Sequence, residues 1–538
     1  MTALRAKLVR GLTTAVRAYA SPYRRLFAAR LADPARTDAR LARELTRRMA
    51  ATAYGQHLGV RGGDDLANYR RKVPIVGYGD LRPWIDRQMR DEGSVLTPDR
   101  VLFYEKTSGS SGPAKYIPYT ARLRRSFSRM FVLWVDDLVT HGPKLETGVV
   151  YFSVSPSFAD EHRTARGTPI GLDDDAEYVE GWMRPLLRRL TPVPPAVRQL
   201  SSASFRRALT LHLLASESLE VVSVWSPSFL SVVLEHLEET RHELLAILRS
   251  GGVTLEGRRF EWRTITHTRL RALERGDFPW PALRIVSSWA NGWAHGQAEL
   301  LAARLPATTL LQGKGLLATE APVTFPLLGA CGGVPLLGEV LVELEDDAGG
   351  IGNLADAVVG AEYAVVVSQL GGLHRYRLGD RVRVTGRLAR TPLLDFVGRA
   401  DVSDLAGEKL SSALVEEVLT RLVPAGVFRM LLPVEGSPPH YLLLLEGDDR
   451  DLGGASLLAR LEASLTEVHH YRIARLLGQI GPARIVVRAT MGREVHDALM
   501  ARGTKLGDIK GTALVTARDL ATGLVASLSE RDRGASLG

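Results

Sequence analysis

Twice in the middle of this chain, a short run of β-branched and apolar residues breaks at a turn and resumes with the period of a helix. Residues 219–237, LEVVSVWSPSFLSVVLEHL, read as a strand, a turn at Pro227 and a helix. Residues 281–305, PALRIVSSWANGWAHGQAELLAARL, repeat the order through a small-residue loop, and the run TGVVYFSVSP at 147–156 supplies a strand ahead of both. Strand–loop–helix units in series predict an α/β fold with a parallel sheet. Ligands of such open sheets lie outside the carboxyl ends of the strands. The loops at residues 225–228 and 289–292 are therefore expected to wall a pocket.

The chain has 538 residues, 45% of them hydrophobic and 24% charged, enough for two or more domains with large cores. Its single cysteine, Cys331, excludes an intramolecular disulfide and fits a reducing, cytoplasmic setting. No base stands near it in sequence, so it reads as a small buried hydrophobe. The basic N-terminus lacks the uninterrupted apolar run of a secretory signal, and the longest apolar stretch, 219–237, is interrupted by Glu220, Pro227 and Glu235. No membrane partner is expected. The net charge of +9 is arginine spread along the chain rather than a basic face, which argues against a nucleic-acid partner.

Residues 1–60 have helical periodicity, with Leu41, Leu45 and Met49 at four-residue steps, and are expected to cap the main domain. At residues 101–104 an apolar strand gives way to the small residues of TSGSSG at 107–112 and then to Lys115. Small residues let a backbone approach phosphate closely, their N–H and hydroxyl groups donate, and the lysine adds a mobile charge. The spacing is neither that of a Walker A loop nor that of a nucleophile elbow. An ordinary Gly/Ser loop is the plain alternative. A helix over 120–139 follows, with Thr120 as N-cap; Phe127, Phe131, Trp134 and Val135 point inward, either as core or as one wall of an apolar acid pocket.

Other signals are weaker singly. Thr319 and Glu320 place a hydroxyl beside a carboxylate, suited to phosphate and Mg²⁺. Asp380, at the expected end of a strand in GLHRYRLGD, suits a ribose, or else a hairpin turn. The aspartates at 173–175 read as a solvated edge, not a metal site. After a boundary near residues 398–401, short strands such as HYLLLLEG and ARIVVRAT alternate with helices, and ARGTKLGDIKGTAL sets two lysines in a glycine-punctuated loop. The last ten residues read as a disordered tail.

In their order along the chain, TSGSSGPAK, ATE, HRYRLGD, GRADVSDLAGEKL and the late lysine loop resemble the adenylate-forming superfamily of acyl-CoA synthetases and luciferases. Within it, TAYGQHLGV, YRRKVPIVGYGDLRPWI, HHYRIARLLGQIGPARIVV and LGDIKGTAL are similar to the auxin-responsive GH-three family of acyl-acid amido synthetases, in its bacterial form. The resemblance spans about residues 50–515.

The resemblance implies a large N-terminal adenylation domain (1–397) with layered sheets and helices, and a small mobile C-terminal α/β domain (398–538). It implies ATP and Mg²⁺ as cofactors, and a small carboxylic acid and an amine, commonly an amino acid, as substrates. Carried over by position, Ser108, Gly109, Ser110, Ser111 and Lys115 fall on the phosphate loop. Thr319 and Glu320 fall on the α-phosphate and metal motif, Asp380 on the ribose aspartate with Tyr376 on its strand, and Arg399 on the hinge. Lys409 matches the crossover-loop lysine and Lys510 the C-terminal catalytic lysine. Leu317 and Ala318 stand where superfamily members often stack an aromatic on adenine. Met130, Trp134, Trp225 and Trp289 are the acid-pocket candidates. A thiol acceptor, giving a thioester, is the nearest alternative; a non-enzymatic nucleotide or nucleic-acid binder is the distant one.

Overall fold

The computed structural model describes all residues except 1, 91–92, 108–114, 153–161, 166, 172–189, 264, 293, 400–401, 425, 449–453, 502–512, 517 and 536–538. Two sheets position the site. The first has the strand order 310–312, 285–287, 219–223, 149–152, and every pair in it is parallel, as the alternating units predict. Its two central strands, Leu219–Ser223 and Ile285–Ser287, are buried along their whole length, because helices cover the sheet. The helices Pro227–Glu239 and Ala294–Arg304 begin directly after its carboxyl ends. Pro227 occupies the first turn of its helix, where a missing N–H costs nothing.

The second sheet has seven antiparallel strands. Its long central members are Glu362–Gln369, Tyr376–Leu388 and Thr391–Arg399. GLHRYRLGD does not end a strand: Asp380 lies inside Tyr376–Leu388, directly opposite Arg399. Gly379, at φ +83, lies where the pairing with Glu362–Gln369 shifts register between Arg377 and Arg381, and a bulge between Arg381 and Val382 follows in the pairing with Thr391–Arg399. The sheet runs on past residue 399 into Val402–Ser403 and Leu410–Ser411, so it spans the boundary expected near 398.

The N-terminal helices Thr2–Ala32 and Pro34–Met49 pack Phe27, Leu31, Leu41, Leu45 and Met49 into the largest core, the one under the second sheet. Asp33 caps the second of these by accepting from the Arg36 N–H, and Pro34 follows it at the first helical position. The C-terminal part has its own core around the strands Arg429–Val434, His440–Glu446 and Arg484–Arg488. It touches the larger part through definite bonds. Gln479 donates to Ser228, Gln297 to the Gly436 carbonyl and Arg518 to the Gly292 carbonyl.

Two expectations are corrected here. Cys331 is exposed, because the turn that carries it lies over the sheet edge beside Gly386 rather than in the core. The C-terminal residues are helical to Ala535 in Arg518–Ala535, since Ala521, Leu524 and Leu528 recur at helical spacing and bury against the C-terminal core. Among the described residues no helix is long and apolar enough to cross a membrane.

Candidate active site

A cavity of about 890 Å³ lies where the carboxyl ends of the parallel sheet meet the second sheet and the C-terminal part. Its apolar wall comes from the helix Ala121–His141 and from the loops after the parallel strands. Thr120 caps that helix by accepting from the Leu123 N–H, which fixes the rotation of the helix and directs Phe127, Phe131, Trp134 and Val135 into the cavity. Trp225 and Trp289 enter from the two expected loops, their rings 5.8 Å apart. Met130 does not line the cavity. It is 2% exposed and belongs to the core beneath it.

Charged side chains collect at the opposite end. Lys115, Thr319, Glu320, Asp380, Arg399 and Lys409 all line the same cavity. Thr319 and Glu320 are presented by a tight turn in which Ala318 and Ala321 exchange both backbone hydrogen bonds, and Tyr119 donates to the Thr319 carbonyl at 2.6 Å. Glu320 is 6% exposed and Asp380 only 2%. Arg399 donates from Nε to Asp380 Oδ1, and that carboxylate holds the guanidinium above its ordinary range. Burial pulls Lys115 downward, opposed mainly by Glu320. Lys409, in a left-handed backbone conformation (φ +51), is pulled downward by burial and by Arg399.

Tyr376 stands behind this cluster rather than in it. It is buried, lies outside the cavity wall, and donates to Glu320 Oε1 at 3.5 Å, at the edge of a hydrogen bond. Ser108, Gly109, Ser110, Ser111 and Lys510 lie outside the described residues, as do the aspartates at 173–175. Among the described residues no three acidic, histidine or cysteine side chains form a metal cluster. Glu320 is one buried carboxylate oriented to the charged end, the donor set of a Mg²⁺ that takes its other oxygens from phosphate and water.

Three residues of the site carried no sequence signal of their own. Glu408 is wholly buried and accepts from the backbone N–H groups of Leu405 and Ala406 at 2.6 and 2.7 Å and from the Tyr441 hydroxyl. It thereby ties the loop carrying Lys409 to the C-terminal core, while burial and Asp404 push its carboxyl up to about 7. His470 faces the cavity from the helix His469–Leu476, and burial pushes it down to about 3, so it is neutral. Lys314 lies two residues beyond the strand Leu310–Gln312, and only the flanking glycines of QGKG hinted at it.

Three domain models of the GH3 family match the chain in order. They are its N-terminal domain at residues 24–274, its central domain at 342–399 and its C-terminal domain at 409–519. A probable indole-3-acetic acid-amido synthetase from Oryza sativa subsp. japonica is 28% identical over 88% of this chain and 91% of its own length. A jasmonoyl–L-amino acid synthetase from Nicotiana attenuata is 25% identical over 85% and 87%. Of solved structures, a GH3.15 acyl acid amido synthetase matches with a TM-score of 0.59 at 21% identity, covering 93% of this chain and 95% of that one. A 2-hydroxyisobutyryl-CoA ligase in its thioesterification state matches at 0.53 and 13% identity, over 93% and 94%.

Proposed function

The chain belongs to the GH3 family, and from that membership we propose that it is an ATP-dependent ligase joining a small carboxylic acid to an amine, in particular an amino acid. In the first step a carboxylate oxygen of the acid attacks the α-phosphorus of ATP and pyrophosphate leaves, giving an acyl-adenylate. In the second, the amine nitrogen attacks the acyl carbon, AMP leaves and the nitrogen gives up a proton. The observation that carries the reading is the single cavity with two unlike ends: aromatic walls for the acid, and Lys115, Glu320, Asp380, Arg399 and Lys409 for the nucleotide.

Both partners in the first step are anions, so the barrier is set by charge at the non-bridging phosphate oxygens. Lys115 is placed to neutralise it. Asp380, its orientation fixed by Arg399, has a carboxylate free to accept from ribose hydroxyls on its other oxygen. Glu320 would hold Mg²⁺, which when bound supplies further charge neutralisation at the phosphates. Lys510, on the C-terminal part, is assigned the second cationic contact to the reacting phosphate. Positioning and electrostatics do the work, without a general base in the first step. Enclosure by the C-terminal part excludes water that would hydrolyse the adenylate.

The test is acid-dependent pyrophosphate release across a panel of carboxylic acids, with products from amino acids and from coenzyme A compared by mass spectrometry. Amide products support the reading; thioester products alone would transfer it to a thiol acceptor. Lys510→Ala should slow adenylate formation by more than it weakens ATP binding, and equal loss in both would remove Lys510 from the reacting phosphate.

A further inference from the structure

The two loops that carry Trp225 and Trp289 into the cavity are held from outside it, by the C-terminal part. Arg518 opens the helix Arg518–Ala535, and its Nη1 donates to the Gly292 carbonyl at 3.2 Å. Its other nitrogens meet Glu435, Nε at 2.5 Å from Oε1 and Nη2 at 3.1 Å from Oε2. Two-pronged pairing of this kind fixes the guanidinium plane and so aims the remaining contact. Gly436, next to Glu435, accepts from Gln297 Nε2 at 2.9 Å. Between these bonds lies Gly296, where a Cβ would come within 3.0 Å of Arg518 Nη2, so the absent side chain lets the pair lie against the helix Ala294–Arg304. The other loop is held in the same way. Gln479 Nε2 donates to Ser228 Oγ at 3.3 Å, and Ser228 shares a hydrogen bond of 2.6 Å with Ser226.

Inside the larger part the loops lean on each other, the Trp289 N–H donating to the Trp225 carbonyl at 2.8 Å. Gly292, at φ +59, closes the second loop where a Cβ would meet the Phe396 ring at 3.1 Å. Residues 289–292 belong to neither strand nor helix, and the order of such a segment depends on the few bonds that fix its backbone. Trp289, Ala290 and Asn291 line the cavity, whereas Arg518 and Gly292 do not. Arg518 therefore reaches the aromatic end only through the backbone it holds.

We propose that Arg518 is a positioning residue for the acid, acting through the Gly292 carbonyl to set Trp289 against Trp225, so that the aromatic wall is complete only while the C-terminal part is docked. The inference rests on the adenylation reading and deepens it: a side chain that touches neither substrate governs how well the acid is held. A loop released from Arg518 gains freedom that the acid must remove on binding, so the loss falls on the acid and spares ATP.

The experiment uses the full chain with ATP and Mg²⁺ and reads pyrophosphate release with benzoate, phenylacetate and hexanoate, carrying forward the acid with the highest kcat/KM. Arg518→Ala should raise KM for that acid about tenfold, with KM for ATP changed by less than about twofold. Its thermal midpoint should stay within about 2 °C of the unaltered enzyme, whereas a merely structural role would move the midpoint and both KM values together. Arg518→Lys keeps a cation with three donors but loses the planar fork, and should bring the acid KM back to within about threefold. Ser437→Ala removes a contact of the same interface, to Glu235 on the helix Pro227–Glu239, and touches neither loop; its acid KM should stay within about twofold. An acid KM unchanged in Arg518→Ala, raised equally with that for ATP, or raised as much in Ser437→Ala, overturns the inference and leaves the adenylation reading standing. Failure of every acid to release pyrophosphate with the unaltered enzyme overturns both.

Discussion

Two buried guanidinium–carboxylate pairs flank the start of the strand Tyr376–Leu388, and they differ in what surrounds them. Arg375 meets Glu343 through Nε at 2.9 Å and Nη2 at 3.2 Å, and donates from Nη1 to the carbonyls of Arg70 and Val73. Arg70 adds a further bond to Glu343 at 2.7 Å. Both members of the pair are under a tenth exposed, and neither lines the cavity. Arg399 and Asp380 are also paired, but the arginine is 23% exposed and both open into the cavity beside Glu320 and Lys115. The first pair spends its hydrogen bonds on the fold, fixing the helix Leu66–Lys72 to the sheet. The second lines the cavity at its charged end. Burial of an ion pair alone does not identify a site; the cavity at its side does.

The contrast can be broken most severely at the closed pair. Arg375→Met leaves Glu343 buried with Arg70 as its remaining cation among the described residues and should cost about 3–5 kcal/mol of stability, seen in urea unfolding; a loss under about 1 kcal/mol would show that the pair is not what holds the helix Leu66–Lys72. Asp380→Asn should do the reverse, lowering kcat/KM for pyrophosphate release by about 100-fold or more while the thermal midpoint moves by no more than about 2 °C. If the midpoint falls and the rate survives, Asp380 belongs with the closed pair.

Asp38 sharpens the comparison from the closed side. It is buried near Arg70 and Glu343, its Oδ1 has no hydrogen-bond partner, and burial raises its carboxyl to about 7. The folded protein therefore binds this proton more tightly than the unfolded chain. The stability it confers is complete below pH about 4 and is lost as pH rises through about 7. Asp38→Asn should raise stability at pH 8, on the order of 2 kcal/mol, with the gain fading towards pH 4; equal effects at both pH values would contradict the assignment. The smallest effect is expected at Arg381→Ala. Arg381 neighbours Asp380 in sequence but pairs on the surface with Asp347 and Glu362, and both rate and stability should stay within about 0.5 kcal/mol.

The parallel sheet was legible because each strand, turn and helix is written in consecutive residues, and the pocket loops followed from it. The helix at 121–141 shows the limit of periodicity. Met130 and Trp134 were both acid-pocket candidates, but Met130 packs in the core while Trp134 lines the cavity, a distinction made by what packs opposite. Asp380 was found as a residue and misplaced as a strand end, because a glycine inside a strand resembles a turn when its partner strand is unseen. Glu408, His470 and Lys314 were missed because partners that place them, such as Tyr441 for Glu408 and Ser223 for Lys314, are distant in sequence.

The aromatic and charged ends of the cavity, proposed for acid and nucleotide, draw on different sheets, one through loops at its carboxyl edge and the other through Asp380 and Arg399 in its ladder. Side chains after the 219–223, 285–287 and 310–312 strands can therefore drift, or be exchanged by design, to suit a new acid while the machinery that spends ATP stays fixed. Diversification among descendants of such a chain is expected to accumulate on one wall of the cavity and to spare the other.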